Sequence, residues 1–209
     1  TQIADTLEKI YDYITKNIPE YKEIAQKHNN WVDSLHRALR LDDENFTIRY
    51  QNYVVRVIDP VSVFKDLLLS FESASKSDLI VGVNIVAPEN NSISMRDYWL
   101  HTQFFKFFHN KYPNVKIAMH AGELTLGLVK PEDMSWHIND AVFESKANRI
   151  GHGVDIAYES HSDSILKYMA TNKIAIEINL TSNAFILGVK NDEHPILLYN
   201  EYNVPIVIS

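Results

Sequence analysis

Apolar residues recur at helical spacing from the start of the chain. Ile3, Leu7, Ile10, Tyr11 and Ile14 are separated by polar positions, which predicts an amphipathic helix. Residues 20–45 continue in the same style through Ile24, Trp31, Leu35 and Leu39. From residue 46 the texture changes, and short β-rich runs alternate with helical stretches. The predicted strands are FTIRYQNYVVRV (46–57), LIVGVNIV (79–86), VKIAMH (115–120), NRIGHG (148–153), KIAIEIN (173–179) and VPIVIS (204–209). Helices are predicted near 61–75, 95–111, 137–146, 162–171 and 194–201.

The strands follow one another at about 30 residues, the length of a strand plus a crossover helix. Runs 79–86, 115–120 and 173–179 are nearly continuous in apolar residues rather than alternating, as expected where helices cover both faces of a parallel sheet. The pattern therefore divides into a helical amino-terminal segment (1–45) and one α/β unit (46–209). Strands alternating with helices suit either an open doubly wound sheet or most of a (β/α)8 barrel. Neither GxGxxG nor GxxxxGK occurs, which removes the simplest nucleotide-binding readings of the open sheet.

The polar chemistry falls at strand ends. Strand 115–120 runs into His120-Ala121-Gly122-Glu123, strand 148–153 contains Gly151-His152-Gly153, and strand 173–179 leads to Asn179-Leu180-Thr181-Ser182-Asn183. In parallel α/β folds sites are built at the carboxyl ends of strands, and in a barrel those ends converge on one mouth. A lone histidine there is ordinarily a hydrogen-bonded structural residue. Two in glycine-bearing contexts, with Glu123 three residues after His120, suggest instead a metal ligand with an acid or base beside it. His28, His36, His101, His109, His137 and His161 fall in or beside predicted helices and are expected at the surface or the core edge. His194-Pro195 is expected to be a loop leading into a helix, with Pro at an early helical position. The aromatic group Tyr98, Trp99, Phe104, Phe105, Phe107 and Phe108 is expected to pack on the barrel wall.

Composition narrows the chemistry further. Hydrophobic residues make up 45% of the 209 and charged ones 22%, which excludes a disordered chain. No apolar run approaches the roughly 20 residues needed to span a bilayer. Twenty basic side chains against 27 acidic ones give a formal charge of −7, which argues against nucleic acid as a partner. With no cysteine there is no disulfide, no thiol nucleophile and no Cys-ligated metal, so any metal would be held by His and carboxylates. The lack of Cys assigns no compartment. Thr1 in place of an initiator Met, and a final strand-like VPIVIS, suggest a fragment or processed product.

These residues resemble the adenosine deaminase family, including its secreted, growth-factor-like branch. The matching pieces are MHAGE (119–123), RIGHG (149–153) and TSN…HP (181–183, 194–195), with VGVNIVAPE (81–89) similar to the strand whose end touches the purine; together they cover about residues 46–209. The resemblance implies a metal-dependent hydrolase barrel, about six of its eight strands present, with one zinc at the mouth. It implies His120 as a zinc ligand, Glu123 as the acid that protonates purine N1 while water attacks C6, and His152 as the residue that positions the water and stabilises developing charge. Ala87 and Gly122 are implied purine contacts, Ala87 standing where many members have Gly. The implied substrate is adenosine or deoxyadenosine and the implied products are inosine and ammonia. The alternatives are another purine such as adenine, a different metal-dependent hydrolase, or a non-catalytic barrel relic or binding module. The family's HxH ligand pair occurs nowhere in the sequence, and the Asp pair expected to complete the zinc site would follow Ser209. The chain alone is therefore expected to hold zinc poorly, to turn over little and to self-associate through open sheet edges.

Overall fold

The computed structural model describes residues 2–209; Thr1 lies outside the described residues. Two amphipathic helices open the chain, α1 (Gln2–Asn17) and α2 (Tyr21–Leu39), the second ending on Arg40 in the left-handed region at φ 48°. Six strands follow: β1 (Tyr50–Val55), β2 (Ile80–Val86), β3 (Lys116–Ala121), β4 (Arg149–His152), β5 (Ala175–Ile178) and β6 (Ile206–Ile208). Between them run α3 (Pro60–Ser75), α4 (Ser92–Lys111), α5 (His137–Phe143), α6 (Ser162–Asn172), the short α7 (Leu180–Ser182) and α8 (Ile196–Glu201). All neighbouring strands pair in parallel in the order β1-β2-β3-β4-β5-β6, and β6 does not return to β1. This is an unclosed (β/α) barrel, and every strand expected from the hydrophobic pattern is present.

Boundaries differ where side chains compete for the backbone. Residues 46–49 are not strand, because Asp43 Oδ1 accepts the amides of Asn45 (2.7 Å) and Phe46 (2.8 Å) while Asp42 Oδ1 accepts that of Ile48 (2.8 Å). Such Asx contacts draw the backbone out of a ladder. Helix α3 begins sharply because Asp59 caps it through the Ser62 amide (3.0 Å) with Pro60 at its first position. Asn91 caps α4 in the same way through Ile93 (2.9 Å).

The helices cover the outer face of the sheet with aromatics. Phe64 and Phe71 of α3 meet Phe108 of α4 at centroid distances of 4.8 and 5.3 Å. Each fully buried side chain of this kind contributes roughly 1.5–3 kcal/mol. Tyr98, Phe104, Phe105, Phe107 and Phe108 are buried as expected, whereas Trp99 is exposed. Leu7, Ile14, Tyr21 and Val32 of the opening helices join the same contiguous core as Ile85, Ile117, Ile150 and Ile176 of the strands. No described helix is long and apolar enough to cross a membrane.

Candidate active site

The carboxyl ends of β3 and β4 are in register, with His120 opposite Gly151 and Ala121 opposite His152. That register sets the His120 and His152 rings 5.0 Å apart between centroids. The turn after β3 brings the Glu123 carboxylate to 3.5 Å from His152 Nδ1. The three side chains that stood apart in the sequence thus share one wall of a cavity of about 350 Å3, lined also by Ala87, Pro88, Glu89, Leu128, Ser182 and Ile186. A larger concavity, about 730 Å3, lies elsewhere, between α2 and β1.

The backbone at the cavity is held in uncommon conformations. Ala87 has φ 93° and His152 φ 70°, the region that favours glycine, and Gly122 has φ 77°. Non-glycine residues there carry on the order of 1–3 kcal/mol of strain and persist only when their surroundings over-determine them. Gly122 has a second reason to be glycine, since a Cβ would collide with the Asp155 carboxyl and with Ile138. Ala87 and Gly122, the two implied purine contacts, differ in placement. Ala87 lines the cavity, while Gly122 packs against buried side chains behind it.

The turn that presents Glu123 is built on Glu89, the last residue of the VGVNIVAPE run, to which the sequence assigns no role of its own. Its carboxylate, 1% exposed, accepts the backbone amides of Gly122 (3.0 Å) and Glu123 (2.9 Å) and the His137 Nδ1–H at 2.5 Å. Burial pushes the Glu89 pKa up, but the bond and charge of His137 together with the Arg56 charge outweigh it and hold the carboxyl below its usual range. Glu89 is therefore ionised. Glu123 has the opposite environment: burial first, and the Glu89 charge second, raise its pKa against the opposing charge of Arg56. Two carboxylates pushed apart in this way divide the roles of fixed anion and proton donor.

His137 and His101, expected at the surface or core edge, are 0% and 2% exposed. The pattern concealed His137 because its partner Glu89 lies on a distant loop. Arg56 was missed as well. It is fully buried at the end of β1, and its guanidinium donates to the carbonyls of His120 (2.9 Å) and Ile85 (3.4 Å). The β2–β3 ladder stops at Val83–Ile117, so Arg56 satisfies carbonyls that the ladder leaves open.

His120 is a neutral imidazole, its pKa lowered to about 4 by burial and then by Arg56. Its Nδ1 lies 3.1 Å from Asn84 Oδ1, and Asn84 Nδ2 lies 3.4 Å from Gln51 Oε1, so Nδ1–H donates to Asn84 and Nε2 keeps its lone pair. A ring held through Nδ1 in this way, with Nε2 free to donate its lone pair, suits a metal ligand. A family model described as adenosine deaminase matches residues 19–209, beginning within the helical segment ahead of the motifs. The chain belongs to the adenosine deaminase family. An adenosine deaminase of Clostridium acetobutylicum is 31% identical over 111 residues, which span 53% of this chain and 29% of that protein. The crystal structure of an adenine deaminase from Arthrobacter aurescens superposes with a TM-score of 0.56 at 16% identity, covering 88% of this chain and 54% of that one, a likeness of fold. This family member thus spans about half or less of the length of the relatives it matches.

The fit to zinc can be tested on the side chains themselves. Tetrahedral protein zinc takes about three or four protein ligands. Among the described residues no group of three or more His, Cys, Asp or Glu side chains could hold a metal ion. His120 is fit for one coordination position, but the set as a whole does not make a zinc site.

Proposed function

We propose that the protein built on these residues deaminates adenosine or deoxyadenosine hydrolytically, giving inosine and ammonia. The observation that carries this reading is Glu123, a carboxyl kept protonated more readily than usual by burial and by ionised Glu89, standing 3.5 Å from His152 beside His120. A protonated Glu123 can donate to purine N1, which withdraws electrons from C6 as water adds there. One proton of the added water passes to the C6 amino group, which leaves as ammonia, and the other returns to the Glu123 carboxylate as the C6 carbonyl forms. Proton transfer by a positioned carboxylic acid contributes typically 10²–10⁴-fold. In this reading the Ala87 amide at the cavity wall donates to the purine, and His152 stabilises negative charge on the attacking oxygen. Zinc is part of this reading as the family's metal, with His120 as one ligand. The described residues do not by themselves complete a zinc site. The open sheet also supports association between copies of the chain.

The test is the ultraviolet absorbance change of adenosine-to-inosine conversion by the whole protein beside its Glu123→Gln variant, with adenine as a competing substrate. Loss of activity by about 10²–10⁴-fold in the variant is expected. A variant that keeps full activity would remove Glu123 from the chemistry, and preference for adenine would reassign the substrate. The 209-residue chain alone is expected to show no turnover above background even with added zinc.

A further inference from the structure

Asn183 and His194, from the TSN and HP pieces, have no part in the proton transfer described above, yet the structure brings both behind His152. Asn183 opens a π-helical turn (Asn183–Leu187) that continues α7. Its Nδ2 lies 3.0 Å from His152 Nδ1, and its Oδ1 lies 3.2 Å from His194 Nε2. His194 Nδ1 in turn lies 3.2 Å from the backbone nitrogen of Ile196. Asn183, His194 and His152 are 0%, 3% and 4% exposed, so water does not substitute along this row.

The order of donors and acceptors is dictated from the far end. The Ile196 N–H can only donate, so His194 Nδ1 accepts and carries no proton. Burial lowers the His194 pKa, and the neutral ring has its one proton on Nε2, which donates to Asn183 Oδ1. That contact orients the amide. Asn183 Nδ2 then faces His152, and an amide NH2 can only donate. His152 Nδ1 is consequently an acceptor. Asn179 Nδ2 sits 3.4 Å from Nδ1 and 3.3 Å from Nε2 of the same ring, nearly equidistant, and does not select between them. The Glu123 carboxylate, at 3.5 Å from Nδ1, is beyond a good direct bond.

We propose that Asn183 and His194 are positioning residues that lock His152 as its Nε2–H tautomer, so that His152 acts as a hydrogen-bond donor rather than as a base. The consequence for catalysis rests on the deaminase reading; the tautomer itself does not. A donor at this position favours negative charge developing on an attacking oxygen, and presenting the wrong tautomer of a catalytic histidine costs up to about 10⁴-fold in kcat.

The experiment is long-range 1H–15N NMR of the histidine rings in the 15N-histidine-labelled chain near neutral pH. His152 and His194 are both expected as Nε2–H tautomers. Asn183→Asp offers an acceptor to both rings, so His194 should be unchanged while His152 moves its proton to Nδ1 or becomes doubly protonated. His194→Gln can accept from Ile196 and donate to Asn183, and should preserve the His152 tautomer; His194→Phe should leave it mixed. Finding His152 as Nδ1–H in the unsubstituted chain overturns the proposal, and that measurement decides the matter even if a variant fails to fold. A folded Asn183→Asp chain with His152 unchanged overturns it equally. In the whole protein Asn183→Asp should lower kcat by on the order of 10²-fold or more with KM little altered. Absence of any deamination by the unsubstituted whole protein would instead strike the function while leaving the tautomer result standing.

Discussion

Glu89 is shut away from water while three donors converge on its carboxylate: the amides of Gly122 and Glu123 and the His137 ring. An uncharged amide offers one acceptor oxygen where two are used, and its NH2 would face a donor. Glu89→Gln should therefore lose about 3 kcal/mol in a urea titration, the range for breaking a buried charged network. Asp155 is the opposite case. Both its carboxylate oxygens are buried without a hydrogen-bond partner among the described residues, and burial, reinforced by Glu89 and Glu159, raises its pKa to about 9. Glu159 is likewise pushed up to about 7, chiefly by burial. A carboxyl whose folded pKa exceeds its unfolded value binds more protons in the folded state. Stability from Asp155 is then full below about pH 4 and declines as pH rises toward 9. Asp155→Asn should reduce the slope to the part that Glu159 contributes below about pH 7, and should stabilise the chain near pH 8 by on the order of a few kcal/mol. An unfolding midpoint that does not change between pH 5 and 8 in the unsubstituted chain, or a slope just as steep in the variant, would refute this.

Between elements, the critical place is where β2 and β3 part. Their ladder holds only Gly82–Lys116 and Val83–Ile117, and a Cβ on Gly82 would come within 2.9 Å of the Lys116 carbonyl oxygen. The obstacle is backbone, which cannot rotate away. Gly82→Ala should cost about 1–3 kcal/mol in denaturant unfolding, the usual range for overpacking, whereas a neutral outcome would mean that the strands can separate. The same junction shows what the sequence could and could not convey. The continuous apolar runs of β2, β3 and β5 mark buried parallel strands, and HAGE and RIGHG mark the ends of β3 and β4 as the candidate site, because those signals are local. Glu89, Arg56 and His137 stayed hidden because each becomes informative only through a distant partner: an amide pair more than thirty residues on, a carbonyl across two strands, a carboxylate on another loop. Residues 46–49 read as strand for a related reason, since Asp42 and Asp43 take amides that an apolar pattern assigns to a ladder.

At the scale of the molecule, the sheet stops at β1 on one side and β6 on the other, leaving two rows of backbone donors and acceptors without strand partners. Beside β1 lies the apolar concavity of about 730 Å3, with Trp31 62% and Tyr53 69% exposed at its rim. Natural sheets protect open edges with charge, proline or a bulge, because an unprotected edge templates pairing with another chain. The Tyr50/Gln51 irregularity in β1 is one such device, but the strand from Tyr50 to Val55 carries no charged residue and no proline. Apolar rim and free edge act together, since a strand added to β1 would also cover Tyr53 and the neighbouring face of α2. The isolated chain should accordingly self-associate, with a weight-average mass by light scattering that rises with concentration. Substituting Tyr53→Lys should shift that rise to higher concentration, because a charge on the edge opposes pairing while leaving the buried Val54 untouched. A mass that stays at 24.1 kDa across the accessible range would show that the twist of β1 alone suffices to guard the edge.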